Sequence, residues 1–196
     1  MSDKSYINFI NYDSWQNFNK NWKFYLGDQP GAHLPDFDDS DFENINLPHD
    51  YSIDQDFSPY FEAESAYKAG GIGNYRKSFL LDDLNLEEKQ VFIYFDGIYQ
   101  NSTTYINGEK LGFNPYGYNP FAYELTPYLK KNRENILAVH VNHQVPSSRW
   151  YSGSGIYRSI DILVKDRLNL GIYEPKIDYD LDDKFAKVSV RSEVFN

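Results

Sequence analysis

The residues best suited to bind a ligand lie between two predicted strands, in residues 148–158 (SRWYSGSGIYR). Arg149 carries a guanidinium with five N–H donors, and Trp150 and Tyr151 carry amphipathic rings. Ser148 precedes them, and the small residues that follow let the chain turn sharply into the next strand. This combination suits a ligand rich in hydroxyl groups. A second interpretation remains open for Trp150, as a cap on the core, whereas a binding role is favoured for Arg149.

Other side chains that could do chemistry lack the pattern that each reaction needs. Ser152 and Ser154 lie in a glycine-rich run, but neither stands in a Gly-x-Ser-x-Gly motif at a strand-to-helix turn. Residues 70–73 (GGIG) lack the strand, helix and further glycine of a nucleotide-binding loop. Paired carboxylates such as Glu62 and Glu64 suit glycoside chemistry. With 29 acidic residues such pairs are inevitable, so the sequence nominates none.

The residues that could bind a metal are four histidines, of which only His140 and His143 are close in sequence. If both continue one strand, a spacing of three residues directs them to opposite faces. The chain has no cysteine, which excludes a disulfide, a thiolate nucleophile and a cysteine zinc site. We therefore expect no metal site and no cofactor in this chain.

The charge and the apolar pattern limit the partners. A formal charge of −10, without any run of Lys and Arg, argues against nucleic acid and against anionic membrane surfaces. The first residues lack the basic and apolar regions of a secretion signal, and no apolar stretch approaches the roughly 18 residues of a membrane helix. The sequence therefore predicts a cytoplasmic protein.

The elements that would position residues 148–158 are short strands. Tyr and Phe are abundant, with 18 and 14 copies, and both favour pleated, half-buried surfaces. Strands are predicted at residues 75–81, 90–95, 103–106, 109–111, 135–141 and 157–164. Asn107-Gly108 is the preferred two-residue hairpin turn. Residues 84–89 are the one modest helix candidate, and residues 125–131 a candidate single turn.

Short strands at this spacing indicate an all-β protein, a β-sandwich of the jelly-roll type. A domain boundary is predicted between residues 165 and 174. Residues 1–168 then form the jelly roll. Residues 169–196 form a linker and the truncated start of a second sandwich, with strands at residues 176–180 and 185–190.

Several segments, in the same order, resemble the N-terminal sugar-binding domain of family 2 glycoside hydrolases, the β-galactosidase and β-glucuronidase group. They are residues 47–51 (LPHDY), 71–79 (GIGNYRKSF), 95–98 (FDGI), 105–112 (YINGEKLG), 116–121 (YGYNPF), 135–139 (NILAV) and 149–158 (RWYSGSGIYR). The resemblance covers residues 15 to 165 and is closest to β-galactosidases.

The resemblance implies a galactose-binding-domain-like jelly roll, followed by an immunoglobulin-like sandwich and a TIM barrel. In the family both catalytic glutamates lie on the barrel and perform retaining hydrolysis. No barrel is present here, so no catalytic residue is carried over, and the chain alone is expected to be inactive. The substrate implied is a terminal β-D-galactoside such as lactose, and the partners are the remaining domains of the same polypeptide.

The resemblance also implies a role for residues 148–151, which match a loop that the domain lends to the rim of the active-site pocket. Ser148, Arg149, Trp150 and Tyr151 are the implied sugar contacts, with Arg149 the most direct. Some β-galactosidases have an aspartate near Ser148 that helps bind a monovalent cation. The resemblance thus assigns any monovalent or magnesium ion to the full-length enzyme and not to this chain. The oligomeric state of that enzyme is left open.

Three hypotheses remain open from the sequence. The first is the accessory domain of a β-galactosidase-like hydrolase, with β-glucuronidase and β-mannosidase as alternative activities on the same scaffold. The second is a free-standing, lectin-like carbohydrate-binding module. The third is an interface domain without sugar contact. The fold alone does not separate them, because function depends on the site and not on the scaffold.

Overall fold

The computed structural model describes residues 6–7, 15–81, 84–146 and 151–196. In chain order the strands are β1 (Tyr6–Ile7), β2 (Trp15–Asn17), β3 (Trp22–Leu26), β4 (Glu43–Ile45), β5 (Gly71–Leu81), β6 (Lys89–Phe95), β7 (Ser102–Ile106), β8 (Glu109–Asn114), β9 (Phe121–Glu124), β10 (Asn135–His143), β11 (Ile160–Asp166), β12 (Asn169–Leu170), β13 (Lys176–Leu181), β14 (Ala186–Arg191) and β15 (Val194–Phe195). Two single 3₁₀ turns occupy Ala63–Ser65 and Thr126–Tyr128.

Eleven of the described strands form two sheets that face each other, while β12 pairs with β15 and β13 pairs with β14. The larger sheet has seven strands in the order β4-β3-β5-β10-β7-β8, with β1 added parallel to the end of β5. The smaller sheet has four strands in the order β2-β11-β6-β9. The long central pair, β5 and β10, runs antiparallel with Tyr75 opposite Val139. The all-β jelly-roll sandwich predicted from the sequence is confirmed.

The core lies between the two sheets and follows the period-two alternation of each strand. On β10 the inward side chains Leu137, Val139 and Val141 are almost fully buried, as are Ile160 and Ile162 on β11. The large rings come from the first half of the chain, where Trp22 of β3 and Tyr75 of β5 have no exposed surface. Phe18 and Phe24 are buried as well, whereas Trp15 of β2 is half exposed.

Local turn chemistry decides where the strands end. Asn107 and Gly108 adopt φ of 52° and 91° between β7 and β8, so the predicted hairpin is confirmed. The predicted turn near residues 125–131 is also present. The helix predicted at residues 84–89 was wrong. The carboxamide of Asn85 accepts the peptide N–H of Glu87 at 3.2 Å, a local bond that competes with a helix, and β6 begins at Lys89.

Strands β13 and β14 form the hairpin that the sequence predicts after the sandwich, with Ile177 opposite Val190 and Tyr179 opposite Val188. Every residue of both strands is exposed. The division at residue 168 and the immunoglobulin-like character of residues 169–196 stay predictions.

No helix in the described residues has the length and apolar character needed to cross a membrane.

Candidate functional site

Two segments distant in sequence meet at one end of the sandwich. We call them the Asp50 loop (residues 47–52) and the glycine turn (residues 151–156). The peptide N–H of His49 donates to the carbonyl of Ile156 at 2.8 Å, and that of Tyr51 donates to the carbonyl of Ser154 at 3.0 Å. These two bonds align the segments side by side. The glycine turn begins at Tyr151, the last of the predicted sugar-binding residues, so the Asp50 loop fixes the end of that stretch.

The carboxylate of Asp50 joins the two segments. Its Oδ1 accepts the peptide N–H of Ser52 at 3.0 Å and the peptide N–H of Ser154 at 2.8 Å. Its Oδ2 accepts the hydroxyl of Tyr151 at 2.5 Å. Gly153 adopts a φ of +77°, and a Cβ there would stand 3.0 Å from Oδ2, which favours glycine. Asp50 thus holds both the backbone of the turn and its tyrosine.

Beneath the carboxylate, Ser154 is fully buried and binds two side chains. Its hydroxyl lies 2.5 Å from Nδ1 of His143 and within hydrogen-bond distance of the hydroxyl of Ser52. The hydroxyl of Ser52 also contacts the carbonyl of Ala69 at 2.7 Å. A serine, a histidine and an aspartate therefore come together. A buried hydroxyl cannot reach a substrate carbonyl, so Ser154 secures the loop and is no nucleophile.

Gly155 lets the turn pass close to the core. It adopts a φ of +102°, and a Cβ there would lie 2.1 Å from the hydroxyl of Tyr75. That hydroxyl lies 3.0 Å from Nδ1 of His49 and accepts the peptide N–H of Ile156 at 3.4 Å. Gly155 also exchanges both backbone hydrogen bonds with Tyr99, at 2.8 and 2.9 Å. A side chain at position 155 would displace this arrangement.

A group of tyrosines borders the same end of the sandwich. Tyr99 packs edge-on against the ring of His143, with 5.0 Å between centroids, and contacts Tyr118 at 5.4 Å. Tyr118 in turn contacts Tyr116 at 5.6 Å. Tyr116 is 56% exposed and Tyr118 is 38% exposed, so their faces are open to solvent. Such rings can pack against the apolar face of a sugar while the hydroxyls bond to its polar groups.

The electrostatics of the site keep its rings uncharged. Burial lowers the pKa of His143 and of His49, which favours the neutral imidazoles near pH 7. Burial, together with the hydrogen bond to Asp50, raises the pKa of the Tyr151 hydroxyl, which therefore remains a donor. Among the described residues, no hydrogen bond or ion pair joins Asp50 to a Lys, Arg or His.

Of the predicted site residues, Ser148, Arg149 and Trp150 lie outside the described residues. Tyr151 is described, and it contacts Asp50. The guanidinium of Arg158 lies 5.2 Å from the centre of the Tyr157 ring and 3.5 Å from the carbonyl oxygen of Asp96. His140 and His143 leave β10 on opposite faces, as predicted: His140 points toward Asp28 at 3.9 Å, and His143 points inward.

Sequence reasoning missed Asp50, although its segment is one of those that resemble the family. The signal available was an aspartate directly after Pro48-His49 in an extended stretch. The contact between Asp50 and Tyr151 spans 101 positions, so no local pattern could reveal it. Within the described parts of the chain, no group of three or more His, Cys, Asp or Glu could hold a metal ion.

The fold and the site define a jelly-roll domain whose end loops present polar and aromatic side chains. Residues 16–166 match the family described as glycosyl hydrolases family 2, sugar binding domain, and the chain belongs to this family. It is 41% identical over 184 residues to Beta-galactosidase BoGH2A of Bacteroides ovatus, covering 91% of this chain and 21% of that protein.

Two further similarities agree with this assignment. A beta-glucuronidase of Formosa agariphila is 30% identical over 210 residues, which cover 92% of this chain and 21% of that protein. The crystal structure of a beta-glycosidase from Bacteroides vulgatus superposes with a TM-score of 0.85 and 37% identity, covering 93% of this chain and 24% of that one. The chain thus spans about a fifth of the length of these curated relatives.

Proposed function

We propose that this chain is the non-catalytic sugar-binding domain of a β-galactosidase that hydrolyses terminal β-D-galactosides such as lactose by the retaining mechanism. The domain would contribute residues 148–151 to the rim of an active site whose catalytic glutamates lie on other domains of the same polypeptide. The observation that carries the proposal is the bonding of Asp50 to Tyr151 and Ser154, because it fixes the end of this stretch. The similarity to the β-galactosidase of Bacteroides ovatus supports the choice of sugar.

The contacts define what each residue would do. The peptide N–H groups of Ser52 and Ser154 donate to Oδ1 of Asp50, and the Tyr151 hydroxyl donates one hydrogen bond to Oδ2. A carboxylate has about four lone-pair sites, so Oδ2 retains acceptor capacity for a sugar hydroxyl. Arg149, two residues before Tyr151, would donate to other hydroxyls of the same sugar. The neutral imidazole of His143 would hold the turn rigid through Ser154.

The exposed face of the hairpin formed by β13 and β14 supports the partner in this proposal. Ile177, Tyr179 and Leu181 alternate with Asp178 and Asp180, so one face of β13 is apolar and the other is charged. Ile177, Tyr179 and Leu181 are between 61% and 73% exposed. Apolar patches of this kind mark interaction surfaces. We assign this face to contact with further domains of the same polypeptide.

The test uses the full-length enzyme that contains this chain, assayed on nitrophenyl β-galactoside and nitrophenyl β-glucuronide. Arg149→Ala removes charge-assisted hydrogen bonds worth about 1.5–3 kcal/mol, so kcat/KM for the galactoside should fall about 10- to 100-fold. Arg133→Ala is the matched control, since Arg133 is exposed in the loop before β10 and belongs to neither segment of the site. The isolated chain should show no turnover.

The outcomes separate the alternatives. Equal kcat/KM for Arg149→Ala and Arg133→Ala would contradict a sugar contact and leave an interface domain. Turnover of the glucuronide in preference to the galactoside would instead support the β-glucuronidase assignment, which the relative from Formosa agariphila favours. Robust turnover by the isolated chain would contradict the accessory role altogether.

A further inference from the structure

A polar groove lies on the outer face of the larger sheet, away from the core. Its volume is about 670 Å³, within the range of about 300–1,000 Å³ that ligand pockets occupy. The floor consists of side chains from β3, β4 and β5, and one wall is the segment of residues 28–42, which we call the Asp39 loop. Neither segment of the candidate site described above contributes to it.

The register of the sheet explains the floor. Asn44 of β4 pairs with Lys23 of β3, and Lys23 pairs with Arg76 of β5, so these three side chains form a row across the strands. Ser78 lies two residues further along β5, on the same outward face. The groove therefore has four polar side chains on rigid strands, a more exact support than a loop provides.

Three of the charged side chains that line the groove are already paired with one another. Asp39 lies between the two cations, with Oδ1 2.5 Å from Nζ of Lys23 and Oδ2 2.9 Å from Nε of Arg76. Burial opposes ionisation of Asp39, but the hydrogen bonds from Lys23 and Arg76 outweigh it and lower its pKa. The guanidinium of Arg76 also donates to the carbonyls of Ala32 and Leu34. A charged ligand would have to compete with these bonds, and the exposed carboxylate of Glu134 in the lining repels an anion. Both features favour a neutral ligand.

The groups left for a ligand are the carboxylate of Glu134 and several neutral donors and acceptors beside one aromatic ring. The side chains of Asn44 and Ser78 are exposed and form no hydrogen bond within the described part of the chain. Amides and hydroxyls both donate and accept, as sugar hydroxyls do. Phe37 lines the wall of the groove and offers an apolar surface next to these polar groups.

We propose that this outer groove is a second saccharide-binding site, for a neutral oligosaccharide. It goes beyond the proposed function, because it does not require residues 148–151 or an active site elsewhere. Ser78 is seven residues along β5 from Gly71, whose carbonyl accepts the Tyr51 hydroxyl beside the glycine turn. At about 3.3 Å per residue Ser78 and Gly71 are roughly 23 Å apart along the strand. A ligand in the groove therefore leaves the rim contacts unoccupied.

The test is an NMR titration of the ¹⁵N-labelled 196-residue chain with three probes: galactotetraose, xylotetraose and cellotetraose. We expect at least one probe to shift the amide resonances of residues 44, 76 and 78 in a saturable, millimolar manner. The resonances of residues 50–52 and 151–156 should stay in place. Asn44→Ala and Ser78→Ala should each weaken this binding about 3- to 10-fold. Asn119→Ala, an exposed asparagine outside the groove, should leave it unchanged.

Three outcomes would overturn the proposal: no saturable shift at the groove with any probe, shifts confined to the Asp50 loop and glycine turn, or equal binding by Asn44→Ala and Asn119→Ala. Both positions are exposed, so we expect the alanine variants to fold. A heteronuclear spectrum of each variant verifies this before the titration. The experiment does not involve Arg149 or hydrolysis, so its failure leaves the proposed rim function standing. Conversely, loss of the rim function in the kinetic assay leaves the groove proposal standing.

Discussion

Two aspartates fix two loops of this domain, and they do so with different donors. Asp39 bonds to Lys23 and Arg76, so its charge is paired with two cations. Asp50 bonds to two peptide N–H groups and the hydroxyl of Tyr151, all of them neutral. Both carboxylates hold loops onto strands far away in sequence. Of these two carboxylates, only Asp50 has no cationic partner among the described residues.

The difference separates a structural carboxylate from one that can also act on a ligand. Arg76 is buried, with 3% of its side chain exposed, so Asp39 is needed to pair its charge. The charge of Asp50 is instead stabilised by dipoles, and it orients the tyrosine at the end of the predicted sugar-binding stretch. Removal of Asp39 should therefore affect folding most, and removal of the charge of Asp50 should affect catalysis by the full enzyme most.

The largest effect on stability is expected from a steric clash in the glycine turn that Asp50 holds. Gly155→Ala places a Cβ 2.1 Å from the Tyr75 hydroxyl at a φ of +102°. Strain and overpacking together should lower the free energy of unfolding by about 4 kcal/mol. Gly71→Ala is the control, because Gly71 has a φ of +122° but no atom within 4 Å of the added Cβ. Urea denaturation that gave equal losses for both variants would contradict the close packing.

A somewhat smaller effect is expected when Asp39 is removed. Asp39→Ala leaves the buried Arg76 without a carboxylate, and breaking such a pair costs about 3 kcal/mol. Asp36→Ala, an exposed aspartate of the same loop, should change the free energy of unfolding by less than about 0.5 kcal/mol. Urea midpoints of the two variants measure the difference. If both midpoints coincide with wild type, Arg76 does not depend on Asp39.

The comparison is sharpened by removing each charge and keeping each shape. Asp50→Asn retains an oxygen for the two peptide N–H groups, so the free energy of unfolding should fall by only about 1 kcal/mol. In the full-length enzyme, kcat/KM should fall about 10-fold or more, because the charge that orients Tyr151 is gone.

Asp39→Asn should give the reverse pattern, with a larger loss of stability and an unchanged kcat/KM. Kinetics and denaturation of the two variants, measured side by side, test this reversal. If Asp50→Asn and Asp39→Asn changed kcat/KM equally, the distinction between the two carboxylates would be wrong.

The smallest effect is a pH dependence of stability with two steps. As the pH falls, the contribution of the histidines near the Asp50 loop is lost first, and that of Asp39 is lost at lower pH. Burial lowers the pKa of His49 and His143 below 6.5, so the unfolded state binds more protons than the folded state below that pH. The contribution of these two histidines to stability is therefore complete above about pH 6.5 and is lost as the pH falls. The pKa of Asp39 is lowered from 3.8, so its contribution is present above pH 3.8 and is lost only in stronger acid.

Urea denaturation across this range measures the two steps. His143→Gln should flatten the slope between pH 5 and 6.5 and leave the acid step in place, whereas Asp39→Asn should flatten the acid step alone. A slope near pH 6 that His143→Gln does not change would contradict the assignment to this histidine.

The sequence predicted the parts of the fold that depend on local patterns. The strand at residues 135–141 and the Asn107-Gly108 turn are decided by neighbouring residues, and both were confirmed. The helix at residues 84–89 was wrong because a short bond from Asn85 outweighs weak periodicity. Strand β11 begins at Ile160 and not at Tyr157, because residues before it turn around Gly155.

The site was predicted only in part, for a physical reason. Chemical type identified the stretch that ends at Tyr151, since arginine and aromatic rings in a loop favour polar ligands. Its support depends on contacts between Asp50, His143 and Ser154, which folding brings together from three separate places. Burial of Ser154, the feature that excludes it as a nucleophile, is likewise a property of the folded chain.

The hairpin of β13 and β14 has a practical consequence for work with this chain. Val188 and Val190 add to the apolar face of Ile177, Tyr179 and Leu181, and all five are at least 60% exposed. A two-stranded hairpin with one exposed apolar face and unpaired strand edges among the described residues can pair with other chains. Light scattering of the 196-residue chain will therefore measure the self-association that this hairpin causes. A protein ending at residue 168 would show the behaviour of the sandwich alone.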